Sequence, residues 1–517
     1  MVGINEIEWA ANQPLPLLAL LQLLPLAGMA VVAMMRRHQP FLFPVGIIFT
    51  VAEVLLVFFV YLQYDNTTAA MQFAEHLELF PFLNYHVAVD GISILFLLLT
   101  SLLCLMLVLY GASCKVGYKW RFLLLLLITE SALVGMFVTQ DMLWFLMLSM
   151  IEIPLAGFML WQWSTAPDRD LALARYLQFM GTSLLLLLIG ILMLGWNHVD
   201  ATGGRWSFDL HLLIQTPVDP VIGSLVFFLL FYGLSIRVPM FPLHGWLPVV
   251  AEHGSVALAP VLLIGIKVGI YGLLRFVFPL MPEVVMQWHQ YVVAFAAAGI
   301  FYAAVLALQQ MNLRRLLAYA VVSHTSVLVI GLFTLNLLGL QGGLMLSITF
   351  GLAGAGLLLM SGFVYHRTNT MLLGRLGGLF DRIPFIGITF LVAGLSIVGM
   401  PGTPGFDAVH LMMEAAIEEF GALVTVAAAL GNVVAAGFLL WAFQRAFLTP
   451  RPSGEGSSRA IPHTTGTERV VAGMMLLTLL LAGFFSEPWL ELIETPLQLI
   501  ESRFDHPALD TGTLHHG

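Results

Sequence analysis

The stretch that decides the fold is FYGLSIRVPMFPLHGWLP, residues 231–248. Its first part is apolar enough for a membrane helix, but Arg237 ends the apolar run with a charge. Pro239, Pro242 and Pro248 follow, and a proline inside a helix removes a hydrogen bond and clashes with the preceding turn. The stretch therefore predicts a membrane helix that breaks beside a charged residue. Unwound backbone at membrane depth persists only where protein or water satisfies its polar groups.

The composition is that of a polytopic membrane protein. Of the 517 residues, 59% are hydrophobic and 10% are charged, whereas soluble domains have roughly 45–50% apolar and about 25% charged residues. Apolar runs of about 20 residues, long enough to cross a hydrocarbon core of about 30 Å, follow one another along the chain. A formal net charge of −9 argues against nucleic acid as a partner. Because residues 1–13 contain two glutamates and no basic region, we expect the first apolar segment to be a span, not a cleaved signal.

The apolar windows predict an all-α protein with about fourteen transmembrane helices. The windows lie near residues 14–35, 40–63, 90–112, 121–138, 142–162, 176–196, 219–240, 256–278, 288–309, 316–336, 340–364, 384–419 (interrupted), 421–444 and 468–486. With the N-terminus outside, sixteen of the 21 Lys and Arg residues fall in inner loops, and Arg205, Arg275 and Arg503 fall in outer segments. This alternation predicts that both termini lie on the outer side of a bacterial cytoplasmic (inner) membrane.

The same windows divide the chain into four regions. Residues 1–112 would form the N-terminal helices, and 113–280 and 281–447 would form two repeats. Residues 448–517 would contain a flexible inner loop, the last span and an outer tail that begins as an interfacial amphipathic helix. No segment could house a nucleotide, flavin or iron–sulfur domain, and we find no phosphate loop, HExxH motif or cysteine cluster. We therefore expect no cofactor, no metal and no catalytic site, with any redox or hydrolytic chemistry in partner subunits.

Ionisable side chains inside the predicted spans are the candidate functional residues, because each costs roughly 2.5–3.5 kcal/mol to insert. A lysine can lose its proton when it is desolvated, whereas an arginine practically cannot. We therefore expect Lys267 to carry protons and Arg237 to act as a fixed counter-charge. His324 could pass a proton between its ring nitrogens. The full set is Glu53, Glu130, Asp141, Glu152, Arg237, Lys267, His324, Asp407, His410 and Glu414.

Each candidate also has a plain structural interpretation. Static ion pairs would explain Glu152, Arg237 and Lys267, and a hydrogen-bonded packing role would explain His324. Asp141 lies at a short outer turn, where a solvated or helix-capping carboxylate is expected. Glu53 fits a buried pair or an interface with another subunit as well as it fits a functional role.

A second broken helix is predicted at GMPGTPGFDAVHLMMEA, residues 399–415, where Pro401, Gly402 and Pro404 interrupt an apolar span. Two interrupted helices in corresponding places of two halves indicate a transporter built from inverted repeats. A simple proline kink is the alternative for each break alone.

These residues identify a family resemblance. The chain resembles the antiporter-like membrane subunits of respiratory complex I, in particular the M-type subunit of NADH:quinone oxidoreductase, and more distantly those of Mrp antiporters and membrane-bound hydrogenases. The matching motifs are VDGIS (89–93), Glu130 with Asp141, RVPMFPLHGWLP (237–248), KVGIYGLLRF (267–276), RRLLAYAVVSHTSVLVIGLF (314–333), NLLGLQGGLMLSI (336–348) and MPGTPGF (400–406). The resemblance implies two inverted five-helix repeats, each with a broken helix, and a chain of buried carboxylate, lysine and histidine groups that moves protons.

Several family relay positions differ in this chain, which makes it a divergent member. Arg237 stands where the family usually has a lysine, and Ser149 stands at the position of a glutamate, with Glu152 one helical turn later. Phe350 occupies a histidine position, and Val409 aligns with the glutamate of the second broken helix. The loop VVAEHG retains only Glu252 of the family's polar residues.

The resemblance implies a proton-translocating subunit that works with other membrane and peripheral subunits in the lipid bilayer. Protons, or alternatively Na⁺, would pass from the region of Glu152, Arg237 and Lys267 through His324 to an exit near Asp407 and His410. The alternative hosts are an inorganic-carbon uptake complex with a zinc-containing carbonic-anhydrase-like partner, an Mrp-type antiporter or a membrane hydrogenase. A non-conducting membrane anchor is the alternative of a different class.

Overall fold

The computed structural model describes residues 6–8, 16–80, 82–114, 116–164, 166–255, 259–450 and 461–504. Most of the predicted flexible inner loop, residues 451–460, and the end of the predicted outer tail, residues 505–517, lie outside the described residues. So do three of the basic residues used for the side assignment, Lys115, Arg451 and Arg459.

The first half of the chain forms helices at the predicted places. Polar caps mark several starts: Asp90 accepts from the Ser93 amide, and the chain turns into helix at Asp219–Pro220. The helices are α1 (Leu17–Met34), α2 (Leu42–Gln63), α3 (Gly91–Ser113), α4 (Lys119–Val138), α5 (Met142–Gln162), α6 (Arg169–Thr202), α7 (Leu210–Ile214), α8 (Pro220–Arg237), α9 (Leu247–His253), α10 (Ala259–Gly272) and, after a π-helical turn over Leu273–Val277, α11 (Phe278–Leu280).

The second half continues in the same way. Asn312 and Asn336 cap two of its helices, and Thr465 with Glu468 forms a capping box at the start of another. The helices are α12 (Pro282–Leu308), α13 (Leu313–Leu332), α14 (Leu337–Thr368), α15 (Pro384–Ile397), α16 (Gly405–Phe420), α17 (Ala422–Phe443), which is followed by a π-helical turn to Leu448, α18 (Gly466–Phe484) and α19 (Glu487–Glu501).

The prediction of about fourteen spans is confirmed. Twelve of the described helices are long and apolar enough to cross a membrane. The two remaining predicted spans are the stretch from α10 to α11, whose helical turn changes at Leu273–Val277, and the interrupted pair α15 and α16. Helices α3, α13 and α14 are buried on nearly all sides, while α1, α2, α6, α17 and α18 present apolar faces to the surroundings.

Both predicted helix breaks are present. Helix α8 ends at Arg237, helix resumes at Leu247, and the indole N–H of Trp246 donates to the Ile236 carbonyl at 2.9 Å. That contact satisfies one of the carbonyls freed by the break. Between α15 and α16 the chain turns at Gly399 and Gly402, whose φ angles of 79° and 82° are left-handed and favour glycine.

Two segments that the sequence analysis places on the outer side differ from the prediction. The segment 64–89, expected to be a loop, contains an antiparallel hairpin of β2 (Met71–Phe80) and β3 (Leu83–Val89), and β1 (Glu6–Glu8) pairs with β2 in parallel. Arg275, assigned to an outer segment, is instead buried in the π-helical turn, because its guanidinium donates to Asp90 at 2.6 Å.

The ends of the helices gather on two sides of the bundle. Helix α19 is amphipathic, as predicted, and lies on the side of the hairpin, where Thr495 donates to the Asn66 carbonyl at 2.8 Å. On the opposite side, the Leu313 amide donates to the Met371 carbonyl at 2.9 Å. Arg367 pairs there with Glu468 at 2.6 Å. The hairpin, β1, α7 and α19 therefore share one side, and the basic loops share the other.

Candidate functional site: a buried polar path

A buried ion pair lies at the first helix break. The guanidinium of Arg237, at the end of α8, donates to Glu152 Oε2 at 2.6 Å and to Ser149 Oγ at 2.8 Å. Both partners lie on α5, three residues apart, so they occupy one face of that helix. The two charged side chains are each 2% exposed. Ser149 and Glu152 therefore serve the same guanidinium, as expected if the carboxylate has moved by one turn.

Helix α10 passes directly beside this pair. A Cβ atom placed on Gly265 would lie 3.3 Å from Glu152 Oε1, so the glycine lets the helix backbone approach the carboxylate. Two residues later, Lys267 is 2% exposed and forms no ion pair with any described residue. A Cβ on Gly351 of α14 would lie 3.3 Å from Lys267 Cε. The lysine side chain thus reaches from the first half of the chain to the second.

His324 is the next buried titratable residue. It is 2% exposed, and neither ring nitrogen has a hydrogen-bond partner among the described residues. The Phe350 ring lies with its centroid 5.0 Å from that of the imidazole. Both rings line a mostly apolar cavity of about 50 Å³, which Ile266 of α10 also lines. A water molecule needs about 10–15 Å³ of such volume, so the cavity has room for several, while both His324 nitrogens are covered by protein atoms.

A second cluster, which joins α2, α3 and α4, explains Glu53. The carboxyl groups of Glu53 and Glu130 lie near enough for their charges to interact, and the Cys104 thiol lies beside Glu130. Both glutamates are 0% exposed, and none of their four oxygens accepts an N–H or O–H hydrogen bond from the described residues. Two carboxylates in such a position repel each other, so ionising both is costly.

The predicted exit residues lie apart from this path. Asp407, near the start of α16, is half-buried and accepts a hydrogen bond from the Ser486 hydroxyl, while His410 and Glu414 are exposed on the same helix. Val409 packs against Gly399 at the break. The structure therefore brings Glu152, Arg237, Lys267 and His324 into one buried region and leaves Asp407 and His410 towards the outside of the chain.

Asp141 has a structural role. Its carboxylate accepts the Trp144 amide at 2.9 Å and so caps α5, while the residue is 1% exposed. The capping interpretation is confirmed, and the expectation of solvation is wrong. Glu252, the retained loop residue, lies on α9 and accepts a hydrogen bond from Arg315 at 3.0 Å.

Some polar residues of the interior could not be found by looking for charges in spans. The hydroxyl groups of Ser347 and Thr349 on α14 and of Ser396 on α15 are buried and have no partner among the described residues. Such atoms usually bind ordered water. Asp90 and Arg275 form another buried pair, at 2.6 Å. Asp90 lies in the motif VDGIS and Arg275 in the motif KVGIYGLLRF, so two charges of opposite sign in quoted motifs were the available signal.

Comparisons with known proteins agree with this geometry. Residues 139–435 match the family described as NADH:quinone oxidoreductase/Mrp antiporter, TM. The chain is 30% identical to NADH-quinone oxidoreductase subunit M of Escherichia coli over 438 residues, which cover 83% of this chain and 85% of that protein. A chain of respiratory complex I from Thermus thermophilus superposes with a TM-score of 0.82 at 28% identity, covering 93% of this chain and 99% of that one.

A chain of the Mrp complex from a Dietzia species shares the fold alone, with a TM-score of 0.83 at 17% identity over 95% of this chain and 100% of that one. The match to subunit M and to complex I agrees with the broken helices and the buried ionisable groups. This protein is an antiporter-like integral membrane subunit and belongs to the NADH:quinone oxidoreductase/Mrp antiporter family.

Proposed function

We propose that the chain translocates protons as a membrane subunit of a multi-subunit energy-coupling complex, most like that of NADH:quinone oxidoreductase. The observation that carries the proposal is Lys267, which is 2% exposed, has no ion-pair partner among the described residues and lies on α10 two residues after Gly265, which faces Glu152, and one after Ile266, which lines the cavity at His324. A buried ammonium without a counter-ion is costly, so its protonation responds to the charge state of its neighbours. A change in the protonation of Glu152, beside Arg237, would therefore move protons to or from Lys267.

The path continues through water at His324 towards the second half. The imidazole can accept a proton on one nitrogen and release one from the other. The unpartnered hydroxyl groups of Ser347 and Thr349 on α14 support water on the far side. We place the outlet near Asp407, whose carboxylate is half-buried beside Ser486. Glu53 and Glu130 would hold a proton at the other end of the path.

The two repeats, residues 113–280 and 281–447, would place a broken helix fourth among five spans in each. Helices α8 and α9 would form the first broken span, and α15 and α16 the second. The chain would lie in a bacterial cytoplasmic membrane with both termini outside, and its exposed apolar helices would contact lipid and neighbouring subunits.

The test compares two lysine variants of the assembled complex. We expect Lys267→Ala to lower proton uptake into inverted membrane vesicles by about a hundredfold, the scale on which a positioned proton-transfer group contributes. Lys119→Ala is the matched control, because Lys119 lies at the start of α4, where its ammonium faces the Phe43 ring. Assembly is checked by native gel. Undiminished proton uptake in an assembled Lys267→Ala complex would contradict conduction and support a membrane anchor.

A non-conducting anchor has one specific observation in its favour, the Phe350 ring against His324. Phe350→His restores the residue type that the resemblance places there. If Phe350 only narrows the path, the variant conducts at least as well as the parent chain; if Phe350 blocks it, conduction appears only in the variant. Mass spectrometry of co-purified subunits identifies the host: quinone-linked redox subunits, cation-antiporter subunits or a zinc protein.

A further inference from the structure

Three segments that are distant in sequence meet on the hairpin side of the bundle. Glu6 comes from β1, His86 from β3 and His211 from α7. Glu6 Oε1 lies 2.8 Å from His86 Nε2 and 2.8 Å from His211 Nε2. The three atoms all lie within 4.8 Å of one another. A carboxylate oxygen and two imidazole nitrogens therefore converge on one point.

A fourth residue orients the first histidine. Asp209 Oδ2 lies 2.5 Å from His86 Nδ1, while Asp209 Oδ1 accepts the His211 amide at 2.9 Å. A carboxylate on Nδ1 keeps a proton there, so Nε2, which is hydrogen-bonded to Glu6 Oε1 at 2.8 Å, can offer its lone pair to an ion that replaces this hydrogen bond. Histidines that bind metal ions almost always have this second contact.

The geometry of the contact between His211 and Glu6 also favours a bound cation. The His211 Nε2 atom is close to the carboxylate but is not aligned with it as a hydrogen bond. A proton on that nitrogen would not point at the oxygen, whereas a cation between the three atoms would satisfy all of them. The His86 side chain is 7% exposed, that of His211 is 15% and that of Glu6 is 25%, so the Glu6 side is open to solvent.

We propose that Glu6, His86 and His211 bind a divalent transition metal ion of the Zn²⁺ class, with Asp209 as the residue that orients His86. Two imidazole nitrogens and one carboxylate oxygen are a ligand set that Zn²⁺ accepts, with water in the fourth position. The ion would fasten β1 to the hairpin and to the loop between α6 and α8. This site is independent of the proposed proton path.

The test uses the full-length chain in lipid nanodiscs, purified with an affinity tag that contains no histidine and stripped with a chelator. Isothermal titration with Zn²⁺ measures stoichiometry and affinity, and the visible spectrum with Co²⁺ reports the ligand geometry. We expect one equivalent of Zn²⁺ to bind, and a loss of affinity of about 10–100-fold in Asp209→Asn, as for other second contacts. His211→Ala is expected to abolish this site.

His76→Ala is the matched control, because the His76 ring lies 5.1 Å from that of His86, is exposed and contributes no ligand. It should bind Zn²⁺ as the parent chain does. If His211→Ala impairs folding, Glu6→Gln serves instead, because it removes the carboxylate with almost no change in volume. We expect it to weaken Zn²⁺ binding and to leave folding unchanged. The proposal is overturned if the parent chain binds no stoichiometric Zn²⁺. Equal affinity of the His211→Ala, Glu6→Gln and His76→Ala chains would overturn it as well.

Discussion

Arg237 shows how a single residue can set the chemistry of its surroundings. Its guanidinium is held by Glu152 and Ser149 in a region that excludes bulk water. The desolvation cost of such a pair is large, so each partner depends on the other. Lys267 differs because it has no counter-ion among the described residues, and for this reason we propose it as the proton carrier.

This dependence predicts a non-additive pair of substitutions. Glu152→Gln leaves the Arg237 charge buried and uncompensated, which costs about 3–5 kcal/mol. The double variant Glu152→Gln, Arg237→Gln removes both charges and is expected to be more stable than either single variant. The stabilities of the parent chain, the two single variants and the double variant are compared by thermal unfolding in detergent, with tryptophan fluorescence as the signal. Strictly additive losses would show that the two charges do not depend on each other.

Asp141 offers a pH test outside the spans. Burial, with repulsion from Asp209, raises the pKa of Asp141 from 3.8 to about 6. A carboxyl group with a raised folded-state pKa favours folding below its unfolded value near 3.8, and this contribution is lost as the pH rises through about 6. Asp141→Asn keeps an N-cap acceptor and carries no charge. We expect it to raise the melting temperature by a few degrees at pH 8 and to lose this advantage near pH 4. A benefit that does not change with pH would contradict the assignment.

At the scale of elements, α14 joins the two halves of the chain. It contacts Lys267 at Gly351 and the second broken helix at Gly342. A Cβ added to Gly342 would lie 2.7 Å from the Met412 amide nitrogen and 2.9 Å from the Ala408 carbonyl oxygen. Backbone atoms cannot move aside as a flexible side chain can. The glycine therefore sets the distance between α14 and α16.

The substitution Gly342→Ala is expected to destabilise the protein by about 1–3 kcal/mol, as overpacking usually does. Gly437→Ala is the control, since a Cβ there meets no atom within 4 Å in the middle of α17. Alanine in that helix interior should stabilise by about 0.5–1 kcal/mol. Denaturation midpoints of the two variants give the comparison. Equal effects at both positions would show that the contact between α14 and α16 at Gly342 tolerates a side chain.

The elements themselves were largely predictable from sequence, because bilayer thickness fixes the length of an apolar span. Both breaks were predictable as well, because proline interrupts a helix and glycine permits the left-handed turns found at Gly399 and Gly402. What could not be predicted was which side chains meet across helices. Glu53 and Glu130 are separated by α3 in sequence, and Arg275 lies at the edge of an apolar run, so only packing reveals that each is buried with a partner. The assignment of the outlet to Asp407 stays a prediction.

The whole molecule has two chemically different sides. One side carries the hairpin, α7 and α19, together with the acidic and histidine side chains of the proposed metal site. The other carries loops rich in arginine, and Arg367 and Glu468 fix two of its helix ends together. Since basic loops are retained on the cytoplasmic side, the hairpin side should face outwards.

Labelling of introduced cysteines in intact cells tests this orientation. The chain has two cysteines, Cys104 and Cys114, and Cys104 is buried, so a Cys114→Ser background removes the accessible thiol. Glu78→Cys places a thiol on the exposed part of β2, and Arg382→Cys places one in the exposed loop before α15. We expect a membrane-impermeant maleimide to label the first in intact cells and the second only after permeabilisation. The reverse pattern would place the termini in the cytoplasm and invert the direction of the proposed path, because α19 contacts the segment that leads into the hairpin and must lie on the same side.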